Sequence, residues 1–266
     1  MKWVEIGINL TNKRYNKDRS FVIKEATDLG VNKMVITGTN VTESQKAFEL
    51  TSGELNDSFP DTLYSTAGCH PHDASSLDAD GLEVIKSLAI EPTVVAIGEC
   101  GLDFNRDFSP RPKQIEAFKQ QLELAIETKL PVFLHERDAF DTQYQILKDY
   151  MPRLKGAVSH CFTGERADME AYLELGLSIG ITGWLCDERR GKPLFDIVQF
   201  IPDDRLMVET DGPYLTPRDL PKKPKDGRNE PKYLPHVGAA VARARNQTTE
   251  HVAQMTYRNS REFFNI

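Results

Sequence analysis

The sequence predicts an α/β fold, a TIM-type (β/α)8 barrel in which parallel strands alternate with helices. Short apolar runs rich in β-branched residues recur eight times along the chain. Amphipathic patterns of helical period lie between them. The 266 residues are the length of one such barrel, and no linker-like change of composition divides the chain before residue 216. We therefore expect a single domain over residues 1–266.

The strand candidates are bounded by turn residues and are too short for core helices. They cover residues 4–10, 33–37, 62–67, 93–97, 131–135, 156–160, 177–181 and 205–209. Helical periodicity is clearest in residues 114–128, where Ile115, Phe118, Leu122 and Ala125 share one face. The other helical patterns cover residues 19–29, 43–51, 138–150 and 167–175.

The proline-rich stretch TPRDLPKKPKDGRNEPKYLP, residues 216–235, follows the eighth strand and is predicted to be a long loop without regular structure. Its six basic residues outnumber its three acidic ones. Charged stretches are usually solvated connections. In a barrel, however, this loop opens on the face that carries the active site, so it also offers a positive patch to a substrate.

Composition excludes several classes of protein. A net charge of −7 and a pI near 5.5 argue against a wide contact with duplex nucleic acid. Four cysteines without a CxxC pair fit neither a zinc finger nor a disulfide framework, and a reducing cytoplasm is the simplest location. No targeting segment or membrane span is recognisable, so we expect a cytoplasmic monomer without membrane contact.

Polar residues cluster at the ends of the predicted strands. They are His70 and His72 after the third strand, Glu99, His135, His160, and Asp211 after the eighth. Taken singly, each histidine could be a hydrogen-bonded core residue, Glu99 a partner of an arginine, and Asp211 a turn residue. Because parallel strands end on one rim of a barrel, their coincidence predicts a site for a divalent cation.

Several motifs carry a family resemblance. They are GCHPHD (68–73), AIGECGLDF (96–104), VFLHERDA (132–139), SHCFTG (159–164), ITGWLCDERRG (181–191) and VETDGPYLTPRDL (208–220). In order and spacing they resemble the TatD family of metal-dependent deoxyribonucleases. The resemblance implies a metallo-dependent hydrolase barrel and 3′-to-5′ exonuclease activity on DNA, with single strands preferred. It also implies that Glu99, His135, His160 and Asp211 surround the metal.

The first strand departs from the wider family, most members of which carry a His-x-His pair there. The matching positions in this chain are Gly7 and Asn9. A second metal would then keep only Glu99, Asp211 and the amide oxygen of Asn9, so the number of ions stays open. Fewer nitrogen ligands shift the expected cation from Zn²⁺ towards Mg²⁺, with Mn²⁺ as an alternative.

The hypothesis for the chemistry is hydrolysis of a phosphodiester at the 3′ end of a DNA strand. Glu99, His135 and His160 hold the ion, and Asp211 accepts the proton of the attacking water or anchors a second ion. His70 and His72 donate hydrogen bonds to the phosphate or the leaving group. The remaining guesses for phosphate contacts are Arg228 and the loop lysines, together with Arg189 and Arg190.

Two other functions stay open from the sequence. One is hydrolysis of a different ester or amide, such as the D-aminoacyl ester of a mischarged tRNA, because a metal-activated water serves all of them. The other is a binding protein that lost its activity with the histidines of the first strand. The biological role expected for the nuclease is DNA repair or turnover of DNA fragments.

Overall fold

The computed structural model describes residues 1–266 and contains one parallel sheet whose eight strands follow each other in chain order. The strands are β1 Trp3–Ile8, β2 Val31–Ile36, β3 Leu63–Ala67, β4 Val94–Asp103, β5 Val132–Arg137, β6 Ala157–Ser159, β7 Ser178–Ile181 and β8 Leu206–Val208. Every predicted strand is confirmed. β4 extends six residues beyond its predicted end at residue 97, and this brings Glu99 and Asp103 into the same strand.

The sheet curves round into a nearly closed barrel. Beyond the last paired residues of β8, the amide of Asp211 donates to the carbonyl of Gly7 over 2.9 Å. The amide of Asn9 donates to the carbonyl of Gly212 over the same distance. These two bonds join the ends of β8 and β1, so the first and last strands meet at the rim where the polar residues were predicted.

Helices surround the barrel. They are α1 Arg19–Asp28, α2 Val41–Ser52, α3 Glu54–Ser58, α4 Ala79–Ala89, α5 Arg111–Thr128, α6 Phe140–Tyr150, α7 Arg166–Glu174, α8 Lys192–Ile197, α9 Leu234–Arg245 and α10 Thr249–Phe264. The five predicted helices are confirmed to within three residues at either end. The proline-rich stretch is irregular up to Pro231, where a short 3-10 turn leads into α9. No helix is both long and apolar enough to span a bilayer.

Alternation along the strands separates two apolar regions. Phe133, Val158 and Met207 belong to a small cluster inside the barrel, which Phe264 of α10 completes. Their strand neighbours, such as Leu134 and Ala157, pack outwards against the helices. Because side chains alternate along a strand, the positions two residues after the inward ones also face inwards. These positions are His135, His160 and Glu209.

Three fully buried glutamines fix the backbone beside the site. Gln121 of α5 accepts a hydrogen bond from the amide of Cys69 over 2.7 Å and donates to its carbonyl over 3.0 Å. Gln114 of the same helix makes the corresponding pair with Asp103, and Gln143 of α6 accepts from the amide of Leu102. Each glutamine replaces a missing partner strand at a point where the sheet ends.

Replacing Gln121 with leucine is expected to lower the free energy of unfolding by roughly 2–4 kcal/mol, because it leaves two buried backbone groups of Cys69 without partners. Urea denaturation measures the change. Gln120 is the matched control, since it is the exposed neighbour on the same helix. An equal effect of Gln120→Leu would show that the loss comes from the helix and not from the contact with Cys69.

Candidate metal centre

The centre of the rim is the carboxylate of Glu99, which is buried near the middle of β4. Its Oε1 lies 3.0 Å from His135 Nδ1, 3.0 Å from His160 Nε2 and 3.3 Å from His70 Nε2. The ligand atoms of His70, Glu99 and His135 all lie within 4.8 Å of one another. The structure therefore brings three of the four predicted metal ligands together and adds His70, for which a contact with the phosphate was predicted.

A second carboxylate, Asp103, lies beside His72 and His135. Its Oδ2 lies 2.6 Å from His72 Nε2, and it also lies 3.4 Å from His135 Nε2 in a geometry that makes no hydrogen bond. The rings of His70 and His72 meet edge to face at 4.2 Å. His72 is thus oriented by Asp103, and its Nδ1 remains available for a substrate.

A third carboxylate, Glu209, orients His160. It is completely buried, and its Oε2 lies 3.1 Å from His160 Nδ1. Its Oε1 accepts the backbone amide of Cys161. Since Glu209 engages Nδ1, the Nε2 of His160 is directed at Glu99. A carboxylate behind a histidine in this way is the usual outer partner of a metal-binding imidazole.

Asp211 lies next to this cluster, just after β8. Its Oδ1 accepts a hydrogen bond of 3.0 Å from Nδ2 of Asn9, whose amide also donates to the carbonyl of Gly212. Burial raises the pKa of Asp211 to about 7, and the charges of Glu99 and Glu209 act in the same direction against that of His160. Asn9 therefore supports Asp211, and its amide nitrogen faces the carboxylate.

The charged groups of the site shift one another's pKa values. Burial alone would raise the pKa of Glu99, but the positive charge of His160 and that of His70 outweigh it and hold the pKa well below its usual value. Burial would likewise lower the pKa of His160, yet Glu209 and Glu99 raise it well above normal. Several carboxylates thus share one buried pocket and are balanced only by imidazole protons.

These residues fit a divalent cation. His135 Nε2 is buried without a hydrogen-bond partner, although a buried ring nitrogen normally has one. Imidazole nitrogens and carboxylate oxygens converge from different strands, and both are metal ligands. A bound cation would give His135 Nε2 a partner and neutralise the crowded carboxylates in place of the protons.

Sequence reasoning assigned no role to Asp103, and it placed Glu209 at the end of the eighth strand without giving it a separate role. Strand alternation was the signal that could have added both as partners of the histidines. Cys100 and Leu102 pack outwards, so Glu99 and Asp103 face inwards together. Met207 faces inwards, and therefore Glu209 does so as well.

The predicted role of Arg228 as a phosphate ligand conflicts with its position. The residue is 9% exposed, and all five of its N–H donors are used. They bond to both oxygens of Asp18, to Glu230 and to the carbonyl of Arg14. The guanidinium thus ties the proline-rich loop to the start of α1 and has no donor left for a substrate.

Arg228→Ala is therefore expected to lower the free energy of unfolding by roughly 1.5–3 kcal/mol, because it removes the charged hydrogen bonds to Asp18 and Glu230 and leaves Lys232 as the remaining ion-pair partner of the buried Glu230. The kcat/KM of the folded fraction should stay unchanged. Chemical denaturation and activity per folded molecule measure the two effects. Arg153, which makes an exposed ion pair with Glu123, is the control, and its replacement should cost less than about 1 kcal/mol. A loss of activity without a loss of stability would restore the phosphate-binding role.

The other basic residues of the rim fall into two groups. Arg218 pairs with Glu188, and Lys232 pairs with Glu25 and Glu230. The remaining loop lysines make no ion pair and are exposed; they are Lys222, Lys223 and Lys225. Arg189 and Arg190 are both directed at Asp187. Within the proline-rich loop, the free positive charge thus lies on Lys222, Lys223 and Lys225.

Comparison with known proteins gives concordant matches. The sequence profile of the family described as TatD related DNase matches residues 4–265. A curated relative from Rahnella sp. (strain Y9602) is named 3'-5' ssDNA/RNA exonuclease TatD. It is 52% identical over 260 residues, which cover 98% of this chain and 97% of the relative. The match extends over the whole of both chains.

Solved structures give the same fold. YJJV, a TatD homologue from Escherichia coli K12, superposes with a TM-score of 0.88 at 26% identity and covers 99% of this chain and 98% of its own. The phosphotriesterase homology protein of Escherichia coli superposes with a TM-score of 0.70 at 14% identity, with coverage of 99% and 98%. The second likeness shows the barrel fold alone.

Proposed function

This chain belongs to the TatD-related DNase family and is a hydrolytic, metal-dependent nuclease, and from that premise we propose that it removes nucleotides from the 3′ end of single-stranded DNA. The polarity and the preference for single strands are supported by the names of its relatives at about 50% identity. Those names include RNA, which therefore belongs among the substrates to be tested. The observation that carries the proposal is the convergence of His70, His135 and His160 on Glu99.

The metal would be held by Glu99 with His135 and His160, and His70 is a further ligand by geometry. A divalent cation in this cluster neutralises the charge that builds on the phosphoryl oxygens and lowers the pKa of the attacking water. The protein's own contribution is orientation. Glu209 fixes His160 and Asp103 fixes His72, so the rings are held in place before the substrate arrives.

Asp211 is proposed to accept the proton of the attacking water. Its Oδ1 is held by Asn9, whereas its Oδ2 makes no hydrogen bond. A carboxylate fixed by one oxygen and open at the other can take a proton without moving. In its imidazolium form, His72, held by Asp103 through Nε2, would donate from Nδ1 to the phosphate or to the leaving oxygen. Participation of Asp211 as a ligand of a second ion is the alternative for this residue.

The identity of the metal is part of the proposal. The sequence favoured Mg²⁺ because the strand-one histidines are missing. The geometry adds an imidazole, His70, and a set rich in imidazoles suits Zn²⁺ better than Mg²⁺ or Mn²⁺. All three ions therefore have to be compared, and Mg²⁺ stays a prediction.

The proposed substrate is the end of one strand because the unpaired positive charges of the proline-rich loop are confined to a small patch. The patch consists of Lys222, Lys223 and Lys225, on a protein of net charge −7. Such a patch can hold a few phosphates of a flexible strand, whereas a duplex needs a wide basic surface. The cytoplasmic location, the monomeric state and a role in DNA repair or fragment turnover stay predictions.

The test is a digestion of single-stranded DNA labelled at the 5′ end, with Mg²⁺, Mn²⁺ or Zn²⁺ added to protein stripped of metal. We expect a ladder that shortens from the 3′ end and stops on addition of a chelator. Duplex DNA and single-stranded RNA of the same sequence are the comparison substrates. Release of the 5′ label as a mononucleotide from intact strands, or equal activity with a chelator, would contradict the proposal.

A further inference from the structure

One exposed aromatic residue lies directly beside the metal centre. Phe108 is 69% exposed, and its ring meets that of His72 edge to face at 4.7 Å. Most of the other exposed large apolar residues lie on helices or on the segments that precede the strands, away from the rim that carries the metal centre. They are Met1, Phe21, Leu29, Ile90 and Phe200. Tyr214 also lies near the rim, but Asn12 donates a hydrogen bond to its hydroxyl group. Phe108 is thus an exposed apolar ring at the mouth of the site, where it contacts His72 with one edge.

The ring is held in place by its neighbours in the loop between β4 and α5. Ser109, 1% exposed, donates through Oγ to the carbonyl of His72 over 2.9 Å and accepts the amide of Ser75. Gln114 donates to the carbonyl of Ser109 over 2.8 Å. The backbone next to Phe108 is therefore fixed by the three hydrogen bonds of Ser109, and Phe108 is exposed although its loop is well anchored.

The same loop carries an unpaired cation. The backbone amide of Arg106 donates to Asp103 Oδ1 over 2.9 Å, which fixes the turn to the carboxylate that orients His72. The side chain of Arg106 is exposed and makes no ion pair. An open aromatic face and a free guanidinium, two residues apart, match the two parts of a nucleotide, its base and its phosphate.

We propose that Phe108 is a stacking platform for one of the two nucleobases that flank the scissile phosphodiester, with Arg106 beside it for a neighbouring phosphate. The inference rests on the proposed nuclease function and adds the position of the base. Stacking on a ring needs no particular hydrogen bonds, so the platform accepts all four bases. A duplex keeps its bases stacked within the helix, and so the platform favours a single strand.

The experiment compares Phe108→Ala with Phe108→Trp in the full chain on three single-stranded substrates. The first has normal bases, the second an abasic nucleotide at the 3′ terminus, and the third an abasic nucleotide at the penultimate position. On the normal strand we expect Phe108→Ala to lower kcat/KM roughly tenfold, within the range of base–aromatic stacking, and Phe108→Trp to retain activity. On one of the abasic strands the loss should shrink to about twofold, which identifies the stacked base.

Phe21→Ala is the matched control, because that ring is 60% exposed on α1 and should leave kcat/KM unchanged. An unchanged kcat/KM for Phe108→Ala on the normal strand would overturn the stacking role while leaving the nuclease function intact. An equal loss on all three substrates would overturn it as well, since it would show that Phe108 only supports His72. Absence of nuclease activity in the unmodified protein would overturn the proposed function and this inference with it.

Discussion

Replacing Glu99 with glutamine is expected to lower kcat/KM by roughly 10³-fold or more, which exceeds the loss caused by removing an outer partner of a metal ligand. Glutamine keeps the size of the side chain but removes its charge. The affected atom is the Oε1 on which His70, His135 and His160 converge. Without that charge the cluster has three imidazoles and no central anion, so a divalent cation would bind weakly. Activity across a titration of Mg²⁺, Mn²⁺ and Zn²⁺ measures the effect, together with metal affinity by calorimetry.

Glu123→Gln is the control for this change. Glu123 is on α5, and its side chain is half exposed in an ion pair with Arg153, so its loss removes the same charge from the surface. It should alter kcat/KM by less than about twofold, because exposed charges are screened by salt. If Glu99→Gln kept activity within tenfold of the unmodified protein at equal metal concentration, the ion would have to be held elsewhere.

Much of this centre could be predicted from the sequence, because the barrel converts a linear pattern into a spatial one. Parallel strands end on one rim, so residues that are far apart in the chain meet there. Glu99 comes within hydrogen-bond distance of His135, 36 positions later, and of His160, 61 positions later. Recognising eight apolar runs, with histidines or carboxylates at the ends of five of them, placed these residues on one rim, and the family resemblance gave their roles. The alternation of side chains along a strand would also have directed Asp103 and Glu209 into the site.

The role of Arg228 shows where this reasoning stops. Its position in a basic, proline-rich loop suggested a contact with the substrate. Its main partner, Asp18, lies 210 residues earlier in the chain, and nothing local in either segment indicates the pairing. Long-range ion pairs depend on how loops pack over the rim, which neither periodicity nor composition specifies.

The absence of a histidine at position 7 of β1 also has a structural explanation. A Cβ atom built on Gly7 would overlap Oε2 of Glu209 and lie 3.0 Å from Phe133 Cζ. One built on Gly180 of β7 would lie 2.6 Å from Oε1 of the same carboxylate. Glu209, just beyond β8, thus fills the space between glycines of β1 and β7, the two strands that flank β8. A carboxylate that orients His160 occupies the room that a side chain at position 7 would need.

Gly7→Ala is therefore expected to destabilise the protein by roughly 3 kcal/mol, at the upper end of the cost of overpacking a buried site. It should also lower kcat/KM by roughly 10²-fold, because a displaced Glu209 no longer orients His160 towards Glu99. Gly7→His should be worse on both counts, so it cannot restore the pair found in the wider family. Urea denaturation and the exonuclease assay measure the two effects. In Gly156→Ala, the control, the new methyl group would lie 3.3 Å from the ring of Phe263 and should change little.

A double-mutant cycle separates this explanation from a general effect on β1. In the background Glu209→Ala the carboxylate is gone, so the methyl group at position 7 no longer overlaps Oε2 and only the ring of Phe133, 3.0 Å away, still restricts it. Gly7→Ala should then cost less than about 1 kcal/mol, and the two changes should be strongly non-additive. Full additivity would mean that Gly7 is required for the path of the strand itself. Non-additivity would establish that the glycine makes room for the carboxylate that orients His160.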